Sequence, residues 1–83
     1  LLVIKLWKEF GTVNIVPEKV RARRKEMGLS QEILAEKSGL SVGTISDIER
    51  GLVTKVKEVA LFKLSKALLY DPEDLLEEGE TNE

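Results

Sequence analysis

Between Gly28 and Gly51 the chain reads Gly-Leu-Ser-Gln-Glu-Ile-Leu-Ala-Glu-Lys-Ser-Gly-Leu-Ser-Val-Gly-Thr-Ile-Ser-Asp-Ile-Glu-Arg-Gly. Start and stop signals follow one another so closely here that two short helices around a tight turn satisfy them. Ser30 precedes the apolar pair Ile33 and Leu34, and its hydroxyl is placed to accept a free N–H of the first turn. Gly39 follows the last turn and tolerates the left-handed conformation that ends a helix. Ser41 can cap a second helix, Ile45 and Ile48 share one face of it, and Gly51 supplies the second stop. Ala35 is small where the helices would cross, and Leu40 is expected to fill the angle between them. The spacing predicts helices over 31–38 and 42–50. A helical hairpin without further role is the bland reading. Two caps, two glycine stops and a three-residue turn together suit a helix seated in the major groove of DNA.

The chain is 83 residues long, enough for one small domain with a modest core. It has no cysteine and no histidine. Disulfides and cysteine-based metal sites are therefore excluded, and zinc or nucleophile–histidine chemistry has few parts left. No Gly-rich phosphate loop is present. The chain reads as a non-enzyme without cofactor or metal. Its net charge of −2 hides a strong asymmetry. Residues 71–83 hold 7 of the 15 acidic side chains and no basic one, so residues 1–70 carry 13 basic and 8 acidic side chains, a balance of +5. A basic body with an acidic tail is what a nucleic-acid partner would require. Lys19, Arg21, Arg23, Arg24 and Lys25 cluster on the first expected helix. Most such runs are simply solvated, but beside a helix-turn-helix some are expected to face phosphates.

Three segments follow. Residues 1–16 form an apolar arm, too short for a membrane span and without the pattern of a secretory leader; a cytoplasmic protein, nucleoid-associated when bound, is expected. The arm is expected to pack on the domain or on a partner subunit. Residues 17–77 form the helix-turn-helix domain. Pro17 opens a first helix over 18–27, with Val20 and Met27 as core contacts and Gly28 as stop. A helix over 56–69 presents Val59, Leu61, Phe62, Leu64, Ala67 and Leu68 as a broad apolar face. Asp71-Pro72-Glu73-Asp74 starts a short last helix carrying Leu75 and Leu76. Residues 78–83 are an acidic, frayed tail.

Arg24, Gly28-Leu29-Ser30-Gln31, Leu34-Ala35, Gly39-Leu40-Ser41, Ile45-Ser46, Ile48-Glu49 and Gly51 resemble the phage-repressor/Cro-type helix-turn-helix family, regulators of the xenobiotic-response-element type. The resemblance runs from about Val20 to Leu76. It implies an all-α, five-helix, lambda-repressor-like DNA-binding domain that docks on operator DNA as a dimer. Gln31 opens the second helix, where its amide and free backbone N–H groups can meet a phosphate, as the matching glutamine does in the family. The resemblance assigns backbone contacts to Arg24, Ser30, Gln31, Thr44 and Arg50, and a flanking role to Lys55 and Lys57. It pairs Arg24 with Glu49. The base-reading positions fall on Ser41, Val42, Gly43, Ser46 and Asp47. Here the chain departs from the family, which often carries Gln, Arg, Lys or Asn. Val42 suits a thymine methyl, Gly43 allows close approach, and Asp47 could accept from cytosine N4. Specificity is expected to lean on DNA shape and half-site spacing. Trp7, Phe10, Leu75 and Leu76 remain as apolar surface for a dimer contact.

The leading expectation is a DNA-binding transcriptional regulator, dimeric on a palindromic operator of double-stranded DNA. The alternative is a protein-interaction module on the same fold, such as the antitoxin of a toxin–antitoxin pair. A third is a restriction–modification controller, which also binds DNA.

Overall fold

The computed structural model describes residues 11–77. Within them lie strand β1 (Thr12–Asn14), helices α1 (Pro17–Glu26), α2 (Gln31–Ser38) and α3 (Val42–Glu49), strand β2 (Lys55–Lys57), helix α4 (Glu58–Ala67) and a single 3-10 turn (Pro72–Leu75). The fold is mostly helical, so the all-α expectation holds approximately; the five helices are corrected to four α-helices and the 3-10 turn, with a short two-stranded antiparallel sheet, among the described residues. Thr12 pairs with Lys57, Val13 with Val56 and Asn14 with Lys55. The helix expected from residue 56 starts two residues later, because Lys55-Val56-Lys57 alternates with the period of a strand and buries Val56 against the core.

Local chemistry explains the helix ends. The Ser30 hydroxyl accepts from the Ile33 N–H and the Ser41 hydroxyl from the Thr44 N–H, each at 3.0 Å. After α1, the Gly28 N–H bonds to the Lys25 carbonyl and the Leu29 N–H reaches back to that of Arg24. After α3, Gly51 and Leu52 make the same two bonds to Ile48 and Asp47. Both ends need a left-handed residue, and glycine supplies it. The end of α4 repeats the pattern with Leu69 and Tyr70 bonded to Lys66 and Ser65. There the left-handed residue is Leu69, at φ 56°.

The core gathers Val20, Leu34, Ala35, Ile45, Ile48, Leu61, Leu64 and Leu68 with Ile15, Val56, Leu75 and Leu76. Leu40 packs against it from the turn, as do Met27 and Ala67. The outward face of α4 corrects the broad apolar stripe: Val59 and Phe62 are exposed. Leu61, Leu64, Ser65 and Leu68 already fill the inward positions at i, i+3, i+4 and i+7, which turns residues 59 and 62 to the far side. Leu75 and Leu76 are also corrected as dimer contacts. They are 0% and 5% exposed and lie inside the protomer's own core, where Ile15 bridges to Leu76 and the Val16 N–H bonds to the Leu75 carbonyl. Trp7 and Phe10 lie outside the described residues.

α1 is polar almost all round and fully buries only Val20. Its cations attach it instead. Arg23 Nε donates to the Leu68 carbonyl at the end of α4 (2.9 Å), Arg21 donates to the Glu49 carbonyl at the end of α3 (3.3 Å), and Lys19 Nζ donates to the Leu76 carbonyl (2.7 Å). Helix C-termini are where unpaired carbonyls and the negative end of the dipole favour a cation. Arg23 also lies over the Tyr70 ring, 4.4 Å from its centroid.

Leu69 is left-handed without being glycine, and it is exposed. Leu69→Gly is expected to raise the unfolding free energy by roughly 0.5–1 kcal/mol. Gly51→Ala is expected to lower it by about 1 kcal/mol. Urea denaturation of both variants checks the pair.

Candidate nucleic-acid interface

The site begins with a buried carboxylate. Glu49 closes α3 and its side chain is only 3% exposed. Arg24, projecting from α1, grips it with two donors: Nε to one carboxylate oxygen at 2.6 Å and the terminal nitrogen to the other at 2.9 Å. A third Arg24 donor reaches the Leu29 carbonyl just past α1 (2.8 Å). The Gln31 amide at the first position of α2 donates to Glu49 at 3.0 Å. One carboxylate thus fixes three helices at one point. Burial opposes the charge on Glu49, but the hydrogen bonds from Arg24 and Gln31 and the charges of Arg24 and Arg21 outweigh it, holding the carboxyl below the usual glutamate range. The hydrogen bond to Glu49 pushes the Arg24 guanidinium above its ordinary value, against a smaller opposing effect of burial.

Around this point the surface is a shallow notch lined by Arg21, Arg24, Lys25, Gln31, Glu49 and Arg50. With Glu49 neutralised by Arg24, the notch keeps the surplus charge of Arg21, Lys25 and Arg50. It also contains the N-terminus of α2. Free N–H groups, a helix dipole and three cations are what a phosphate seeks. Helical period sorts the basic run of α1: residues 21, 24 and 25 turn to the notch, whereas Lys19 and Arg23 bind carbonyls of Leu76 and Leu68. Arg21 and Lys25 were not singled out among the expected backbone contacts. The i, i+3, i+4 spacing with Arg24 was the signal that could have found them.

The remaining candidate residues occupy two other places. Ser30 is exposed at the α2 cap. On α3, Val42 and Gly43 are exposed, while Thr44, Ser46 and Asp47 are half-buried on the side away from Ile45 and Ile48. The Ser41 hydroxyl accepts from the Thr44 N–H and donates to the Thr44 hydroxyl oxygen at 2.9 Å, so its one hydrogen is already engaged. Lys55 and Lys57 stand exposed on β2 and do not line the notch. The turn has a stitch that the pattern did not reveal: the buried Ser38 hydroxyl donates to the Ala35 carbonyl and accepts from the Leu40 N–H. Among the described residues no group of three or more Asp or Glu side chains could hold a metal ion, and no helix is long and apolar enough to cross a membrane.

Comparison with known proteins gives consistent matches. A family model described as helix-turn-helix matches residues 20–75. No curated protein sequence matches. Among solved structures, the chain is similar to SinR, the master regulator for biofilm formation, in complex with DNA (a Bacillus subtilis protein): 36% identity, TM-score 0.71, 74% of this chain and all of that one covered. It is similar to the P22 c2 repressor in complex with a synthetic operator, at 35% identity and TM-score 0.70, covering 78% of this chain and 97% of that one. It is also similar to the restriction–modification controller protein C.AhdI from Aeromonas hydrophila, at 38% identity and TM-score 0.68, covering 72% and 89%.

Because Glu49 has a lower pKa folded than unfolded, its contribution to stability is complete above the ordinary glutamate pKa of about 4.3 and is lost as pH falls through the folded value. Thermal unfolding below pH 5 is expected to show this loss, and Glu49→Gln is expected to flatten it. Arg24→Ala leaves the carboxylate buried without its cation and is expected to cost roughly 3 kcal/mol at pH 7. Denaturant titrations across pH test both.

Proposed function

The chain belongs to the helix-turn-helix family, and we propose that it is a DNA-binding transcriptional regulator that lays α3 in the major groove while the notch beside α2 holds a phosphate. The observation that carries this reading is the junction at Glu49. It fixes the N-terminus of α2 and the exposed side of α3 in one rigid unit, with Arg21, Lys25 and Arg50 around a neutralised carboxylate. Phosphate contacts set register and affinity, and the outward residues of α3 meet base edges. Similarity to a master regulator and a repressor, each solved with DNA, supports the same assignment.

In this reading Gln31, Arg50, Ser30 and Thr44 face the backbone, joined by Arg21 and Lys25. Three donors of Arg24 already serve Glu49 and Leu29. Its part is to position Gln31 and the notch, with phosphate contact secondary. Lys55 and Lys57 flank the site from the sheet. Residues 17–77 are the DNA-binding unit, carried with the β1 segment that pairs into it. A homodimer on a palindromic operator completes the proposal. With Leu75 and Leu76 in the core, the surface assigned to a second copy is that of Val59 and Phe62, three residues apart on α4, with Leu69 just beyond; Ile33, Val42 and Leu52 are exposed as well. A restriction–modification controller is a narrower form of the same reading, favoured by the likeness to C.AhdI.

Binding to duplex DNA is expected to weaken steeply between 50 and 200 mM salt, roughly 0.9 log units per log unit of salt for each phosphate neutralised. Lys25→Ala and Arg50→Ala are expected to weaken all duplexes alike and to lower that slope by about 1 each. Fluorescence anisotropy on specific and unrelated duplexes at several salt concentrations is the check; a salt-independent Kd overturns the reading. Phe62→Glu is expected to leave the fold intact and shift the protein to monomer in sedimentation equilibrium.

A further inference from the structure

Three apolar side chains gather along the outer side of α4 without cover among the described residues. Val59 is 63% exposed, Phe62 55% and Leu69, just past the helix, 73%. Lys63 and Lys66 stand exposed between them. Together the three offer on the order of 300 Å² of apolar surface, the size at which a patch marks a contact but well below the roughly 800 Å² per partner of a stable interface. The strip is therefore a contact surface, yet too small to hold a second copy unaided.

The chain itself arrives at this strip. The Glu58 N–H, at the first residue of α4, donates to the Gly11 carbonyl at 3.3 Å, and Thr12 pairs with Lys57. Because β1 runs antiparallel to β2, the chain traced back from Thr12 heads toward α4, and residue 10 leaves beside its first turn, next to Val59. Residues 1–10 read Leu-Leu-Val-Ile-Lys-Leu-Trp-Lys-Glu-Phe. Val3, Leu6, Trp7 and Phe10 recur at i, i+3, i+4 and i+7, the stripe of one helix face, and Lys5, Lys8 and Glu9 fall off it. Eight residues in that conformation span about 12 Å, against about 15 Å from Val59 to Leu69 along α4. A helix this short does not hold alone in water and needs an apolar face to pack on.

We propose that residues 3–10 dock antiparallel on the outer face of their own α4, Phe10 against Val59, Leu6 and Trp7 against Phe62, and Val3 toward Leu69. The occupant is the same chain and not a partner subunit. Only Gly11 separates Phe10 from the anchored strand, so the arm's effective concentration at this face is on the order of millimolar, which a partner's arm must outcompete. Docking does not rest on the DNA-binding reading. It deepens the dimer assigned there: the surface a second copy meets is the arm laid on α4, which supplies the area that the bare strip does not.

Trp7 is the single tryptophan of the chain, so its fluorescence in the full-length protein reports the arm alone. Acrylamide is expected to quench it several-fold less in the folded protein than in urea, with emission at shorter wavelength. Phe62→Glu and Val59→Lys, both at exposed positions, are expected to raise quenching to the unfolded level while the domain still unfolds cooperatively. A mixing experiment identifies the occupied chain. Phe62→Glu protein, whose own face is spoiled, is mixed with Trp7→Phe protein, which has an intact face and no tryptophan. Trp7 of the first is expected to stay unprotected. The proposal is overturned if Trp7 is quenched equally in the folded and unfolded protein, if its protection survives both α4 substitutions, or if mixing restores it, which would assign the face to a partner's arm. Any of these results with salt-dependent duplex binding retained overturns the docking alone. A protected Trp7 in a protein that binds no duplex overturns the proposed function alone.

Discussion

The carboxylate of Glu49 is the constraint on which the rest of the molecule depends. A buried charge is tolerated only when its oxygens are well bonded and a cation is at hand. Arg24 and Gln31 meet that demand from two other helices. The geometry of three helices is thereby set by one side chain, and a two-pronged guanidinium grip admits little rotation. Apolar packing of Leu34, Ile45 and Ile48 brings α2 and α3 together. The ionic junction decides how the outward face of α3 is presented beside the α2 N-terminus. Such a junction also neutralises the acid that lines the notch and would otherwise repel a phosphate.

The same logic governs α1. A helix with one fully buried apolar residue has little hydrophobic reason to dock. It docks by placing guanidinium and ammonium groups on carbonyls at the ends of α4 and α3 and on Leu76. The cations of this helix are consequently divided between two tasks. Lys19 and Arg23 hold the domain together on one side; on the other, Arg24 and Lys25 build the notch with Arg21, which also holds the Glu49 carbonyl.

Much of this was legible in the sequence where the signal was local. Ser30, Gly39, Ser41 and Gly51 bracket α2 and α3 because a cap or a left-handed residue acts within one turn of itself. The Arg24–Glu49 pair was legible only through resemblance, since nothing local in residues 24 and 49 states that they meet. The sheet was not legible: Thr12–Asn14 and Lys55–Lys57 are more than forty positions apart, and an alternation only three residues long, as in Lys55-Val56-Lys57, is too short to separate a strand from the start of a helix. Leu75 and Leu76 misled for a related reason. Two leucines in a short turn look surplus until Ile15 and Val16 are seen to bond to them. The bond between Gln31 and Glu49, eighteen positions apart, needed tertiary distances to be seen.

The bridge between Ile15 and Leu76, with the Val16–Leu75 bond beside it, makes neighbours of two points at opposite ends of the described chain. Closing that ring early would immobilise nearly the whole domain at once, so the entropy of loop closure places it late in folding, after the local pairing of α2 with α3. Mechanically, the domain has a clasp. Tension applied through both ends loads this junction together with the β1–β2 pairs, and α2 and α3, which pack on each other, lie downstream of the break.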